Sequence, residues 1–140
     1  MKFNDIAAGD WSALKPYLDT CLLPVTGLRG DEQPWETTAA LEKLRVALEL
    51  VEIPYHGRVV TYPALHYMSG EAAETARIVC AKLKEAGFRY VLVMTADESA
   101  GSWELDSADL VLTVNPDELP EKTQEWKRNV SERIQLLWRS

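Results

Sequence analysis

The chain has 140 residues, 46% hydrophobic and 26% charged, a balance that supports one folded domain over residues 1–140 and excludes a disordered chain. Its net charge of −7 argues against nucleic acid, whose affinity comes from Lys and Arg displacing counterions. No stretch approaches the roughly 20 apolar residues of a membrane span and the opening MKFNDIAAGDW has no signal-like apolar run, so a soluble cytoplasmic protein is expected.

The segment Asn4 to Tyr17 is weakly helical, with Asp5 or Asp10 as caps and Pro16 as a stop. Thr20 to Val25 reads as a first strand. Pro24 lacks the N–H that a ladder needs, which puts it at the end of that strand or on a sheet edge. The loop TGLRGDEQ follows. A long helix is expected from Pro34 to Glu52, with Pro34 suited to its first position and Pro54 just beyond its end. Leu41, Leu44, Leu48 and Val51 recur at helical spacing and form its expected buried stripe.

Arg58 to Tyr62 reads as a second strand. A second long helix is expected from Gly70 to Ala86, capped by Ser69, with Glu71 in its first turn and Gly87 as its stop. Ala72, Ala76, Val79, Cys80 and Leu83 make its core face. Phe88 to Met94 is a third strand, continuously apolar from Tyr90 as in a strand covered on both faces. Residues 96–108 are a crossover if the next strand is parallel and a long hairpin loop if it is antiparallel. Asp109 to Val114 is the fourth strand. Pro120 then opens a helix to the C-terminus, with Trp126, Val130, Ile134, Leu137 and Trp138 on one face.

This alternation implies a three-layer α/β/α sandwich on a mostly parallel four-stranded sheet, Rossmann-like or flavodoxin-like. Strand order 2-1-3-4 is preferred because it keeps the apolar third strand internal. Order 1-2-3-4 is the alternative.

In such sheets ligands bind beyond the carboxyl ends of the strands, near the point where strand order reverses. The candidate ligand-binding residues are therefore Thr26 and Arg29 after strand one, and Tyr62, His66 and Tyr67 after strand two. Thr95 and Asp97 follow strand three, and Asn115 follows strand four. Glu98 and Ser99 share that edge. Every strand also ends in a loop, and loops hold Thr, Asp, Asn and Gly for turn reasons alone. His66 has Glu71 and Asp97 as conceivable partners, but spacing fixes no third catalytic element. It is read as a pocket residue rather than a catalytic one. His56 sits at the opposite edge as a turn residue.

No G-x-G-x-x-G, G-x-x-x-x-G-K-[ST] or G-x-S-x-G stretch is present. A dinucleotide or nucleoside triphosphate is disfavoured and no cofactor is expected. Two histidines and two distant cysteines do not compose a standard zinc site without carboxylates. The acidic run Asp97, Glu98, Glu104 and Asp106 matches no calcium loop. Cys21 and Cys80 read as buried free thiols. Trp126 and Trp138 belong to the core, whereas Trp11, Trp35 and Trp103 fall near element ends, where some would be exposed.

PYLDTCLLPV, HGRVVTYPALHYM, VLTVNPDEL and the Trp/Leu-bearing last helix resemble the YpiF-like family of uncharacterised bacterial proteins. Tyr17, Asp19 and Thr20 match its opening motif, and Asp19 is suited to cap the turn into strand one. Residues 26–34 depart from the pattern. The resemblance implies a small cytoplasmic protein with no established active site to carry over.

The reading that results is a non-catalytic binding module whose sheet edge takes a protein partner or a small polar ligand. The alternative is a small-molecule enzyme of the glycosyl- or nucleoside-transfer type, using Asp97, Asp19 or Glu98 buried near Tyr62. A third reading is a homodimer formed through the C-terminal helix and its tryptophans.

Overall fold

A computed structural model describes residues 1–67, 72–97 and 105–140. The sheet contains β1 (Thr20–Val25), β2 (Val59–Thr61), β3 (Tyr90–Thr95) and β4 (Leu110–Thr113). Its order is β2-β1-β3-β4 and every pair is parallel. The preferred order holds, and β4 runs parallel to β3, so the connection between them is a crossover rather than a hairpin. The helices among the described residues are α1 (Ala8–Leu14), α2 (Pro34–Glu52), α3 (Ala72–Glu85) and α4 (Leu119–Arg139).

Strand alternation sorts the side chains into two cores. Leu22, Val59, Leu92, Met94 and Leu112 meet Leu44, Leu48 and Val51 of α2 and Val130 and Ile134 of α4. Cys21, Leu23, Val25, Val60, Val91 and Val93 face the other way, toward Ala76, Cys80 and Leu83 of α3. Trp11 and Leu14 of α1 complete that second layer. This is the expected three-layer arrangement. Each fully buried Leu or Val contributes about 1.5–3 kcal/mol of transfer free energy.

The elements differ in detail from expectation. The opening segment is a 3-10 turn (Phe3–Asp5) followed by the short α1. β2 is only three residues long. Leu41 is 44% exposed, so the buried face of α2 begins at Leu44. α4 bends at Lys122, whose φ of −119° and ψ of 29° are not helical. Ser69 and Glu71, expected to start α3, lie outside the described residues, as do Glu98, Ser99, Trp103 and Glu104.

Pro24 sits inside the central strand β1, in register with Met94. Leu65 donates its N–H to the Pro24 carbonyl at 2.9 Å, so the side of Pro24 that lacks an N–H faces β2. There the β2 ladder has already ended at Thr61. The proline thus stands near the end of β1, beside a gap in its neighbour, which satisfies the missing-donor constraint without an edge position. The outer side of β2 is covered by the N-terminus: Thr61 donates its N–H to the Met1 carbonyl at 2.8 Å, and Lys2 bridges Thr61.

Candidate functional site

Order β2-β1-β3-β4 places the reversal of strand order between β1 and β3, so the carboxyl ends of those two strands bound the expected crevice. Three segments converge there. The first is the loop after β1. Thr26 is 8% exposed and donates its backbone N–H to the Leu65 carbonyl at 3.1 Å. Its Oγ1 lies 3.1 Å from the same carbonyl and 3.0 Å from His66 Nδ1.

The second segment is the chain returning after β2. Pro63 has no N–H with which to prolong the ladder. The chain leaves at Thr61 and regains β1 at Leu65, bridged to Val25. That return sets His66 over the end of β1. The single hydroxyl hydrogen of Thr26 has two acceptors in reach. If it goes to Leu65, Nδ1–H donates to Oγ1 and a neutral ring presents Nε2 as an acceptor. If it goes to Nδ1, Nε2 carries the proton and is a donor. Either way one ring nitrogen is anchored and the imidazole is exposed. Tyr67 follows with φ +56°, a left-handed conformation uncommon outside glycine. Its ring is 66% exposed and 6.1 Å from the His66 ring.

The third segment is the end of β3. Thr95 is fully buried, and its Oγ1 accepts the Asp97 N–H at 3.0 Å. This turn brings Asp97 against Gly27. Gly27 has φ +78°, and a Cβ there would stand 2.8 Å from Asp97 Oδ2. Only glycine fits, because the backbone is left-handed and the space is taken by a carboxylate.

The loop of residues 27–33 completes the edge. Arg29 donates its N–H to both Glu32 carboxylate oxygens, at 3.1 and 2.8 Å, and Gly30 donates to Oε1 at 2.8 Å. Hydrogen bonds from these amides stabilise the Glu32 carboxylate and lower its pKa from the ordinary value. Gly30 lies beside the ring of Tyr67: a Cβ there would be 3.8 Å from Tyr67 Cδ1.

Of the sequence-derived candidates, Thr26, Arg29, His66, Tyr67, Thr95 and Asp97 thus lie on this edge. Two others have different surroundings. Tyr62 lies on the α1–α3 face, edge-on to Phe88 at 5.3 Å. It lines a hollow of about 420 Å³ with Phe3, Ile6, Trp11 and Val60, and burial raises its phenol pKa. Asn115 caps the 3-10 turn Pro116–Glu118, accepting the Asp117 N–H at 3.1 Å. Glu32 escaped the sequence reading. The signal available was a carboxylate three residues past Arg29 and two past a glycine, a spacing that lets it fold back onto both amides.

A second polar cluster occupies the opposite end of the sheet. Arg58 donates to both carboxylate oxygens of Asp19, at 3.0 and 3.2 Å, and its guanidinium stacks 4.0 Å from the Trp138 ring. Trp138 Nε1 donates to Thr20 Oγ1 at 3.0 Å, and Thr20 Oγ1 lies 2.9 Å from Asp19 Oδ1. The Asp19 side chain therefore ties β1 to Arg58 before β2, rather than capping only its own turn. His56 lies in the turn before β2 at this same end, as expected. Cys21 and Cys80 are buried and free.

No described helix is long and apolar enough to cross a membrane, and no group of three or more metal-ligating side chains occurs among the described residues. No curated protein and no solved structure matched the chain. A family match covers residues 10–138 and bears out the expectation of a family without an assigned role, although it does not carry the YpiF-like name. The chain belongs to the family described as "Protein of unknown function (DUF2487)".

Proposed function

We propose that the chain is a binding module whose receptor surface is the carboxyl edge of β1 and β3, and that it takes a small polar ligand there. The carrying observation is the Thr26–His66 contact at 3.0 Å. It joins residues 40 apart in sequence and leaves an anchored imidazole exposed at the strand-order reversal. Asp97, held against Gly27, and the amides of Arg29 and Gly30 add acceptors and donors of both kinds within the same loops. Such a mixture suits a ligand recognised by hydrogen bonds.

The transfer-enzyme alternative draws less support. It needs a carboxylate beside Tyr62, whereas Asp19 is paired to Arg58 at the other end and Tyr62 packs on Phe88. A docked protein partner would use the exposed rings of Tyr67 and Trp35, 66% and 69% exposed, at the rim of the same edge.

The test is a thermal-shift screen of small polar metabolites on the native chain, with hits repeated on His66→Ala and Thr26→Val. Hits that lose binding in both variants, while the variants stay folded, support the reading. Hits indifferent to both would refute it.

A further inference from the structure

We infer that the loop between β1 and α2 is an oxyanion site in which the protein's own Glu32 carboxylate competes with the ligand; this rests on the binding reading above and names its ligand class. Successive backbone N–H groups aimed at one point form a concave anion receptor. Here the amides of Arg29 and Gly30 make three contacts of 2.8–3.1 Å with a carboxylate. Gly30, at φ +109°, supplies the backbone freedom this turn needs. An oxyanion is thus already bound, and it is a tethered one. The same two amides favour the ionised carboxylate over the protonated acid, lowering its pKa.

The surroundings point to a ligand with more than a lone charge. The Tyr67 ring borders Gly30, and His66 stands beside Tyr67. The Arg29 side chain adds the cation that oxyanion recognition commonly uses. A small molecule bearing a carboxylate or phosphate group would take the place of Glu32 on the two amides. The rest of it would lie against the tyrosine ring and hydrogen-bond the imidazole. Glu32 then acts as a built-in competitor: apparent affinity is reduced by the fraction of molecules in which it is seated.

The test uses the full chain labelled with ¹⁵N and two probes, inorganic phosphate and acetate, which separate phosphate from carboxylate recognition. Glu32→Ala removes the competitor and Glu32→Gln removes its charge. Glu42→Gln, on the surface of α2, removes the same unit of charge elsewhere and controls for net charge. At least one probe is expected to bind Glu32→Ala about tenfold tighter than the native chain. Shifts should centre on the Arg29 and Gly30 amides, with Glu32→Gln intermediate and Glu42→Gln within about twofold of native. A folded Glu32→Ala chain that binds neither probe more tightly than Glu42→Gln overturns the inference. So does tighter binding that leaves the two amides unmoved. If both probes fail while a different polar ligand shifts Thr26 and His66, only this inference falls. If nothing shifts that edge, the binding reading falls with it.

Discussion

Gly27 shows how tightly single residues specify the edge. Its φ of +78° and the Asp97 oxygen 2.8 Å from where a Cβ would stand act together against any side chain. Gly27→Ala is expected to cost about 2 kcal/mol, from left-handed strain plus the displaced carboxylate. Urea denaturation checks this: the midpoint should fall while the slope stays constant. An unchanged midpoint would mean that the β1 and β3 ends are not in contact. At this scale the sequence was partly legible. His66 and Tyr67 could be assigned to the right edge because the position of a loop after a strand follows from chain order. The link from His66 to Thr26 could not, because it depends on where the chain rejoins β1 after Pro63. The surroundings of Tyr62 were hidden for a related reason. It directly follows a strand of three residues, and its ring packs on Phe88 at the sheet face.

At the scale of elements, the boundaries of β1 and α2 agree with expectation because their punctuation is explicit: Thr20 to Val25 is a bounded apolar run, and Pro34 and Pro54 flank α2. Burial within α2 was less legible. Leu41 fits the helical period but lies beyond the reach of the sheet. Leu44→Ala is therefore expected to destabilise by about 2–4 kcal/mol, and Leu41→Ala by no more than about 0.5 kcal/mol. Equal losses at the two positions would contradict the observed seating of the helix. The opposite end of the sheet gives another expectation. Asp19→Ala removes both acceptors of Arg58, and the pair is only partly buried, with side-chain exposures of 25% and 38%. A loss of about 1–2 kcal/mol is expected. Trp138 fluorescence should change with it, because the guanidinium stacks on that indole. This pairing was invisible in sequence, where Asp19 and Arg58 are 39 residues apart. It also gives the Asp-Thr of the Tyr-x-Asp-Thr motif a structural reason.

For the whole molecule, the continuously apolar β3 demands an internal position, which orders 2-1-3-4 and 1-2-3-4 both provide. The placement of α2 and α3 on opposite faces of the sheet is what goes with 2-1-3-4, and it was not legible in any one segment. The direction of β4 was not legible either, since neither a crossover nor a hairpin leaves a decisive mark in residues 96–108. The two-core arrangement carries a pH dependence. Cys21 and Cys80 both lie in the core on the α3 side. Burial raises both thiol pKa values, that of Cys80 from 9.0 to about 11. The unfolded chain then loses thiol protons first as pH rises, so the contribution of Cys80 is complete below about pH 9 and is lost between there and about pH 11, while that of Cys21, whose thiol is raised further, goes on declining above that window. The urea midpoint should decline across that window, less steeply in Cys80→Ala. A flat profile would show that the thiols are not buried as described.

The central claim is that the carboxyl edge of β1 and β3 is the receptor surface. Its most direct measurement is amide chemical-shift mapping of the ¹⁵N-labelled chain against a library of small polar compounds. The perturbed amides of binding compounds should cluster at residues 26–33, 65–67 and 95–97. Compounds that instead perturb the hollow of Phe3, Trp11 and Tyr62, or the Asp19–Arg58 end of the sheet, and leave those three segments unmoved, would contradict it.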